Sequence, residues 1–272
     1  MSNENEYLYI VATPIGNLAD ITYRAIAILS KVDLIAAEDT RHSRKLLSHY
    51  SINTKCTALH DFNEQKTHKE LLDFIKSGHS VALISDAGTP LISDPGYILV
   101  QKAVAAGIRV IPIPGPSALI SALSVSGLPS DKFTFYGFLP AKQHARIELL
   151  ESVRELEPTS IFYESPHRLV ACLENMLQVY GPTRQVCLAR ELTKTFETIH
   201  SDELQHLYNW VKADSNQQKG EIVLLLKGHK IQKNQEISAK DIDILTLLIS
   251  ELGVKKAASF TAKITGSSRN AL

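Results

Sequence analysis

The stretch "SVALISDAGTPLISDPGYILVQKAVAAGIRVIPI" (80–113) decides the fold. It opens on a short apolar run, "SVALI" (80–84), of strand length, and closes on another, "IRVIPI" (108–113). Between them a helix is predicted from about Tyr97 to Ala106, ended by Gly107, because glycine just past a helix takes the left-handed cap at little cost. Strand, helix, strand in that order builds a crossover between parallel strands. The connecting segment "SDAGTPLISDPG" (85–96) is longer than such a link needs and repeats the tetrad Ser-Asp-x-Gly. Its first half, Asp86 to Thr89, is expected to bind something. Its second half is expected to start the helix, with Ser93 or Asp94 as cap and Pro95 in the first turn.

The same alternation extends outward. "YLYIVA" (7–12) and "DLIAA" (33–37) read as buried strands. Asp20 is placed to cap a helix carrying Ile21, Ala25, Ile28 and Leu29 on one face. Thr67 and Glu70 have capping-box spacing ahead of Leu71, Leu72, Phe74 and Ile75, with Gly78 to end that helix. Residues 1–118 are therefore expected to form an α/β domain with a parallel sheet. In such sheets ligands sit beyond the carboxyl ends of the strands. The loops "ATPIGN" (12–17), "AEDTRHSRK" (37–45), "SDAGTPLISDPG" and "PGPSA" (114–118) all follow strands, so they gather at one rim.

Past "SGLPSD" (126–131) the texture changes. Strand-like runs at "FTFYGF" (133–138), "SIFY" (160–163), "QVCLA" (185–189) and "EIVLLL" (221–226) predict a second α/β domain over 119–230, with pairing direction open. After the polar linker "GHKIQKNQE" (228–236) come helices over "SAKDIDILTLLISELG" and "VKKAASFTAKITG", and "SSRNAL" opens a third. This 237–272 piece fits a helix-turn-helix and fits equally a helical hairpin that packs on the body.

Composition narrows the function. With 29 basic and 29 acidic residues the net charge is zero, so a polyanion partner must be met by local patches. Cys56, Cys172 and Cys187 show neither disulfide nor metal spacing, which suits a reducing cytoplasm. The opening "MSNENEYLYIVAT" is acidic and its apolar run is too short for a secretory leader, and no stretch has membrane-spanning length. A cytoplasmic protein is expected.

"ATPIGNLADIT" with Glu38 downstream mimics a dinucleotide fingerprint but has one glycine where three are needed, so it is rejected as such a site. "AEDTRHSRK" puts Glu38, Asp39, Arg41, His42, Arg44 and Lys45 at a strand end; a solvated helix start explains it, but the rim position favours function. In "FYESPHRL" (162–169), Ser165 and Pro166 start a helix, while Tyr163, Glu164, His167 and Arg168 are a costly set for a mere connector. No metal-ligand spacing surrounds His167, and no metal is expected.

Taken together, "TPIGNLADIT", "DLIAAEDTRHS", "SDAGTPLISDPG", "PGPSA", "GLPSDKFTFYGFLP", "FYESPHRL" and "ARELTKTFETIH" resemble the ribosomal RNA branch of the tetrapyrrole methylase superfamily, over residues 7 to about 230. The C-terminal helices resemble that branch's helix-turn-helix extension. The resemblance implies two α/β domains with a donor cleft between them, S-adenosylmethionine as methyl donor, and a homodimer. It implies methylation of the ribose 2′-oxygen of a cytidine in the decoding region of small-subunit ribosomal RNA, free or in an assembled subunit. Donor-binding positions carried over are Pro14, Asp86, Ala87, Gly88, Thr89, Ser117, Ala118, Tyr163, Glu164 and Glu221. Gly88-Thr89-Pro90 departs from the superfamily's usual Gly-Asp-Pro wording. Rim position nominates Glu38 or Asp39 as base or orienting group, with Arg41 at the RNA. The alternatives are a tetrapyrrole or other small-molecule methyltransferase, and a non-enzymatic RNA-binding protein with a vestigial donor site. The cluster 41–45 and the pair Lys255–Lys256 favour RNA.

Overall fold

The computed structural model describes residues 7–59, 64–229, 237–267, 269 and 272, of which 64–66 only in backbone. By internal contacts the chain divides into two units, Met1–Arg154 with Pro158–Lys227, and Glu155–Glu157 with Gly228–Leu272.

The first unit holds two sheets. Strands β1 (Tyr7–Val11), β2 (Leu34–Ala37), β3 (Cys56–Ala58), β4 (Val81–Ile84) and β5 (Arg109–Ile113) form a parallel sheet in the order β3-β2-β4-β1-β5. Helices α1 (Tyr23–Lys31) and α2 (Thr40–His49) bury Ala25, Leu29, Leu46 and Leu47 on one face. Helices α3 (Glu64–Lys76) and α4 (Tyr97–Ala105) bury Leu71, Ile75, Leu99 and Ala103 on the other. The winding direction therefore reverses between the neighbours β1 and β4. A crevice opens at such a reversal, because the flanking connections leave on opposite faces.

Helix α5 (Ala118–Val125) leads to the second sheet. Its strands are β6 (Phe133–Phe138), β7 (Thr159–Glu164), β8 (Gln185–Arg190), β9 (Thr198–Glu203) and β10 (Ile222–Leu226), in the order β6-β7-β10-β8-β9. Only β6 and β7 pair in parallel; β10 runs antiparallel between β7 and β8, and β9 antiparallel to β8. Side chains of β10 alternate. Ile222, Leu224 and Leu226 face α6 (Gln143–Ser152), α7 (Leu169–Tyr180) and α8 (Leu204–Ala213), while Val223 and Leu225 face α5. That two-sided burial is why the run is apolar throughout. Ile15, from the loop after β1, packs into the same α5 cluster and joins the two sheets.

The second unit contains α9 (Ala239–Leu252) and α10 (Val254–Thr265). Ser238 and Asp241 close a capping box on α9, and Ser267 Oγ donates to Asp241 Oδ2 at 2.9 Å. The third helix expected over "SSRNAL" and the linker 230–236 lie wholly or partly outside the described residues. No described helix is long and apolar enough to cross a membrane.

Several local expectations change. Asp20 caps nothing on α1: Asn17 caps a 3-10 turn at Leu18–Asp20, and Thr22 Oγ1 accepts from the Ala25 amide at 3.1 Å. Thr67 and Glu70 are interior, because the good helix formers Glu64, Gln65 and Lys66 carry α3 upstream. Neither Ser93 nor Asp94 caps α4. Gly96, at φ +117°, holds that position with no side-chain bond. Strands β3 and β9 are short or polar ("CTA", "TIHSDE"), so they lack the apolar run that marked the others.

Candidate active site

The loops after β1, β4 and β5 are tied together by their own backbone. Thr13 and Gly88 exchange both main-chain hydrogen bonds, at 2.8 and 3.0 Å, across the β1/β4 reversal. Thr13 Oγ1 donates to the Ser85 carbonyl at 3.2 Å, and Thr89 Oγ1 donates to the Pro116 carbonyl at 3.1 Å. Gly88 sits at φ +80°, left-handed backbone that costs any other residue strain. Gly115 is needed for approach, since a Cβ there would lie 2.9 Å from the Ala12 Cβ.

Beside these loops lies a cleft of about 440 Å³ between the two sheets of the first unit. One side is apolar: Ile15, Phe138, Ala189, Leu192 and Val223. Tyr163 joins it, its ring edge-on to Phe135 at 4.8 Å and Phe138 at 5.5 Å. Burial pushes the Tyr163 hydroxyl up to about 12, so it stays protonated, and it bonds the Leu119 backbone at the start of α5. The acids Glu38, Asp86, Asp94, Glu164 and Glu221 also line the cleft. An apolar lining with a few fixed polar groups is the usual character of a small-molecule site.

Glu164 is the most constrained of these acids. Its side chain is fully buried, and Oε1 accepts from Arg168 Nε at 2.8 Å and from the Ser165 amide at 2.6 Å. Oε2 has no hydrogen-bond partner. Cys172 lies close by, its thiol pushed well up by burial, by the Glu164 charge and by a weak hydrogen bond to that carboxylate. A buried carboxylate is costly unless it is paired, and Arg168 supplies the pairing charge.

Of the residues nominated from sequence, Glu38, Asp86, Ala87, Gly88, Thr89, Ser117, Ala118, Tyr163, Glu164 and Glu221 all line the cleft. Pro14 is buried and its neighbour Ile15 takes the lining position instead. Ser117 stands at the N-cap of α5 without a side-chain bond to it. Asp39 and Arg41 are not in the lining. Asp39 is the N-cap of α2, accepts from the Arg41 amide at 2.8 Å, and forms an ion pair with Arg41 Nη2 at 2.8 Å. Those bonds hold its carboxyl down at about 2, so it stays ionised and is a poor proton acceptor near neutral pH. Arg41 is 87% exposed.

Sequence reasoning missed two parts of the site. Ser93 and Asp94, expected to build the helix start, line the cleft. The turn after β8 was also missed: Glu191 and Thr193 sit at φ +50° and +66°, and Lys194 Nζ bridges Glu191 Oε1 at 2.8 Å and Glu221 Oε2 at 3.1 Å. Its sequence signal was Gly220, where a Cβ would run into the Glu191 side chain. Among the described residues no group of three His, Cys, Asp or Glu is placed to hold a metal ion.

Comparison with known proteins agrees with this geometry. The family described as Tetrapyrrole (Corrin/Porphyrin) Methylases matches residues 7–208, and the RsmI C-terminal HTH domain matches residues 235–272. The chain is 55% identical to a Vibrio cholerae protein named Ribosomal RNA small subunit methyltransferase I, covering 97% of this chain and 92% of that one. It is 54% identical to the Escherichia coli O157:H7 protein of the same name, covering 99% and 94%. Among solved structures, a diphthine synthase aligns with TM-score 0.64 at 14% identity, over 81% of this chain and 90% of that one. A Thermus thermophilus uroporphyrin-III-C-methyltransferase aligns with TM-score 0.59 at 16% identity, over 82% and 94%. These structural likenesses speak to the fold alone.

Proposed function

The chain belongs to the tetrapyrrole methylase family, in its ribosomal RNA small subunit methyltransferase I group, and from that premise we propose that it methylates the ribose 2′-oxygen of a cytidine in the decoding region of small-subunit ribosomal RNA. It is a methyltransferase, and the methyl donor of its family is S-adenosylmethionine. When bound, that donor supplies a methyl group on a positively charged sulfur, already a good electrophile.

The observation that carries the reading is the meeting of apolar residues with the acids Glu38, Asp86, Asp94, Glu164 and Glu221 in one cleft. Such a cleft fits a ligand with an aromatic base at one end and cationic groups at the other. Tyr163, Phe138, Ile15, Leu192 and Val223 would enclose the base; Glu164, Asp86 and Glu221 would meet polar and cationic groups. The backbone of Ala87 to Thr89 approaches the ligand where Gly88 leaves no Cβ in the way. Ser117 does not cap α5 with its side chain, and the first-turn amides other than Leu119, which meets Tyr163, suit a carboxylate. Pro14 fixes the turn that puts Ile15 in the wall. No pyrophosphate cradle is needed for such a ligand, which explains the missing glycines of "TPIGN".

The outer residues suit RNA. Arg41, in the first turn of α2 and three residues after the cleft residue Glu38, presents an exposed guanidinium that Asp39 orients. Its role in this reading is to hold a phosphate near the target ribose. Holding the hydroxyl and the methyl carbon in line accounts for much of the rate. Lys255 and Lys256, both exposed on α10, add basic charge in the helix-turn-helix. A cytoplasmic homodimer is part of the proposal; α4 offers exposed Tyr97 and Val104, seven residues apart on one face. The test is nucleoside analysis of small-subunit ribosomal RNA from cells lacking this gene. One 2′-O-methylcytidine should vanish and return on complementation; its persistence would overturn the assignment.

A further inference from the structure

The loop between β4 and α4 carries two aspartates with different fates. Asp86 is occupied by the backbone, its Oδ1 accepting from the Asp39 amide at 3.1 Å. Asp94 precedes Pro95, a sequence in which an aspartate commonly caps a helix with proline in its first turn. It does not do so: Gly96 takes the cap position and no side chain bonds the first turn. To reach that arrangement the chain holds Leu91 at φ +76° and Ser93 at φ +69°, left-handed values that residues with a Cβ adopt only under constraint. The outcome is that Asp94 lines the cleft close to Glu38 and Asp86.

We propose that Asp94 is the catalytic base, accepting the proton of the substrate hydroxyl within this cleft. The inference rests on the reading of the cleft as the methyl-transfer site. In the step, the hydroxyl proton passes to an Asp94 carboxylate oxygen. The electron pair left on the ribose oxygen forms the bond to the methyl carbon. The pair of the broken carbon–sulfur bond stays on sulfur, which becomes neutral, and Asp94 later gives its proton to water.

The electrostatics agree with that role. Burial, reinforced by the charges of Glu38 and Asp86 and opposed by a hydrogen bond from the Ser85 hydroxyl, pushes the Asp94 carboxyl up to about 6. A base near that value is ionised at neutral pH yet holds a proton far better than Asp39 at about 2. The other titratable groups that line the cleft with it are Tyr163, Glu221 and Glu164.

The experiment compares wild type, Asp94→Asn and Asp94→Ala on isolated small ribosomal subunits, with donor affinity measured separately by calorimetry. Loss of a positioned base is expected to lower kcat by about 10² to 10⁴ in both variants. Donor Kd should stay within about twofold, which also shows that the variants fold. The wild-type kcat/KM should fall on the acid side of about pH 6, and the residual rate of Asp94→Asn should lose that limb. An unchanged kcat in Asp94→Asn, or a weakened donor Kd with kcat retained, would overturn the assignment; the second would make Asp94 a donor ligand. Failure of the wild type itself to bind donor would overturn instead the reading of the cleft on which the proposal stands.

Discussion

Arg168 closes on Glu164 twice, Nε at 2.8 Å and Nη2 at 2.7 Å, and both contacts go to Oε1. Arg168 and the Ser165 amide thereby fix the carboxylate at the end of β7, where Glu164 lines the cleft. Glu164→Gln keeps the shape and removes the charge. It is expected to raise the Kd for S-adenosylmethionine at least tenfold, about 1.4 kcal/mol, with a small change in Tm. Glu164→Ala also strands Arg168 and should lose about 1–3 kcal/mol of stability. Calorimetry and a denaturant melt separate the two effects.

The Thr13–Gly88 bridge gives a second test. At φ +80°, with the Ile15 Cγ2 3.4 Å from a Cβ built there, Gly88→Ala should cost about 1–2 kcal/mol of stability. Donor affinity should fall as well, because Ala87 to Thr89 would move with the strained backbone. Unchanged donor affinity by calorimetry would mean that this loop does not contact the donor.

Much of this was legible in the sequence, and the reasons for the gaps are local. "VALI" and "IVLLL" are buried on both faces and so read as unbroken apolar runs, whereas β9, "TIHSDE", is half-exposed and gave no pattern. The gathering of parallel strand ends at one rim points to the loops after β2, β4 and β5, whereas Tyr163, Glu164 and Glu221, on the mixed second sheet, follow from the family resemblance alone. Asp94 was misassigned because an aspartate before proline reads as a helix cap; only the left-handed Leu91 and Ser93 turn it away, and no local rule foretells those. The turn after β8 comes from a distant part of the chain, and long-range pairing leaves no periodic trace.

Acid titration should show opposite signs for two aspartates. The folded-state carboxyl of Asp94 is raised from 3.8 to about 6, so folding binds a proton there, and stability is lost as pH rises through that window. Asp94→Asn should therefore raise Tm at pH 7.5 and give no gain near pH 4. Asp39 is lowered from 3.8 to about 2, so its contribution is present above the upper value and lost as pH falls toward the lower. Asp39→Asn should thus cost stability at pH 7 and little at pH 2, measured by thermal melts across pH.

Arg41→Ala should weaken binding to small subunits, reduce the slope of log affinity against log salt by about one, and leave donor Kd unchanged. An unaltered salt slope in filter-binding titrations would remove Arg41 from the RNA contacts.

Deleting the chain from Ser238 onward removes α9 and α10, and should weaken RNA binding while sparing donor binding. Equal loss of both in parallel binding assays would make the segment a structural brace.

The most direct measurement is transfer of a tritiated methyl group from S-adenosylmethionine to isolated small ribosomal subunits, naked small-subunit RNA and a tetrapyrrole, assayed side by side with this protein. The account predicts label in the RNA, recovered on digestion as 2′-O-methylcytidine. Label in the tetrapyrrole alone would contradict it.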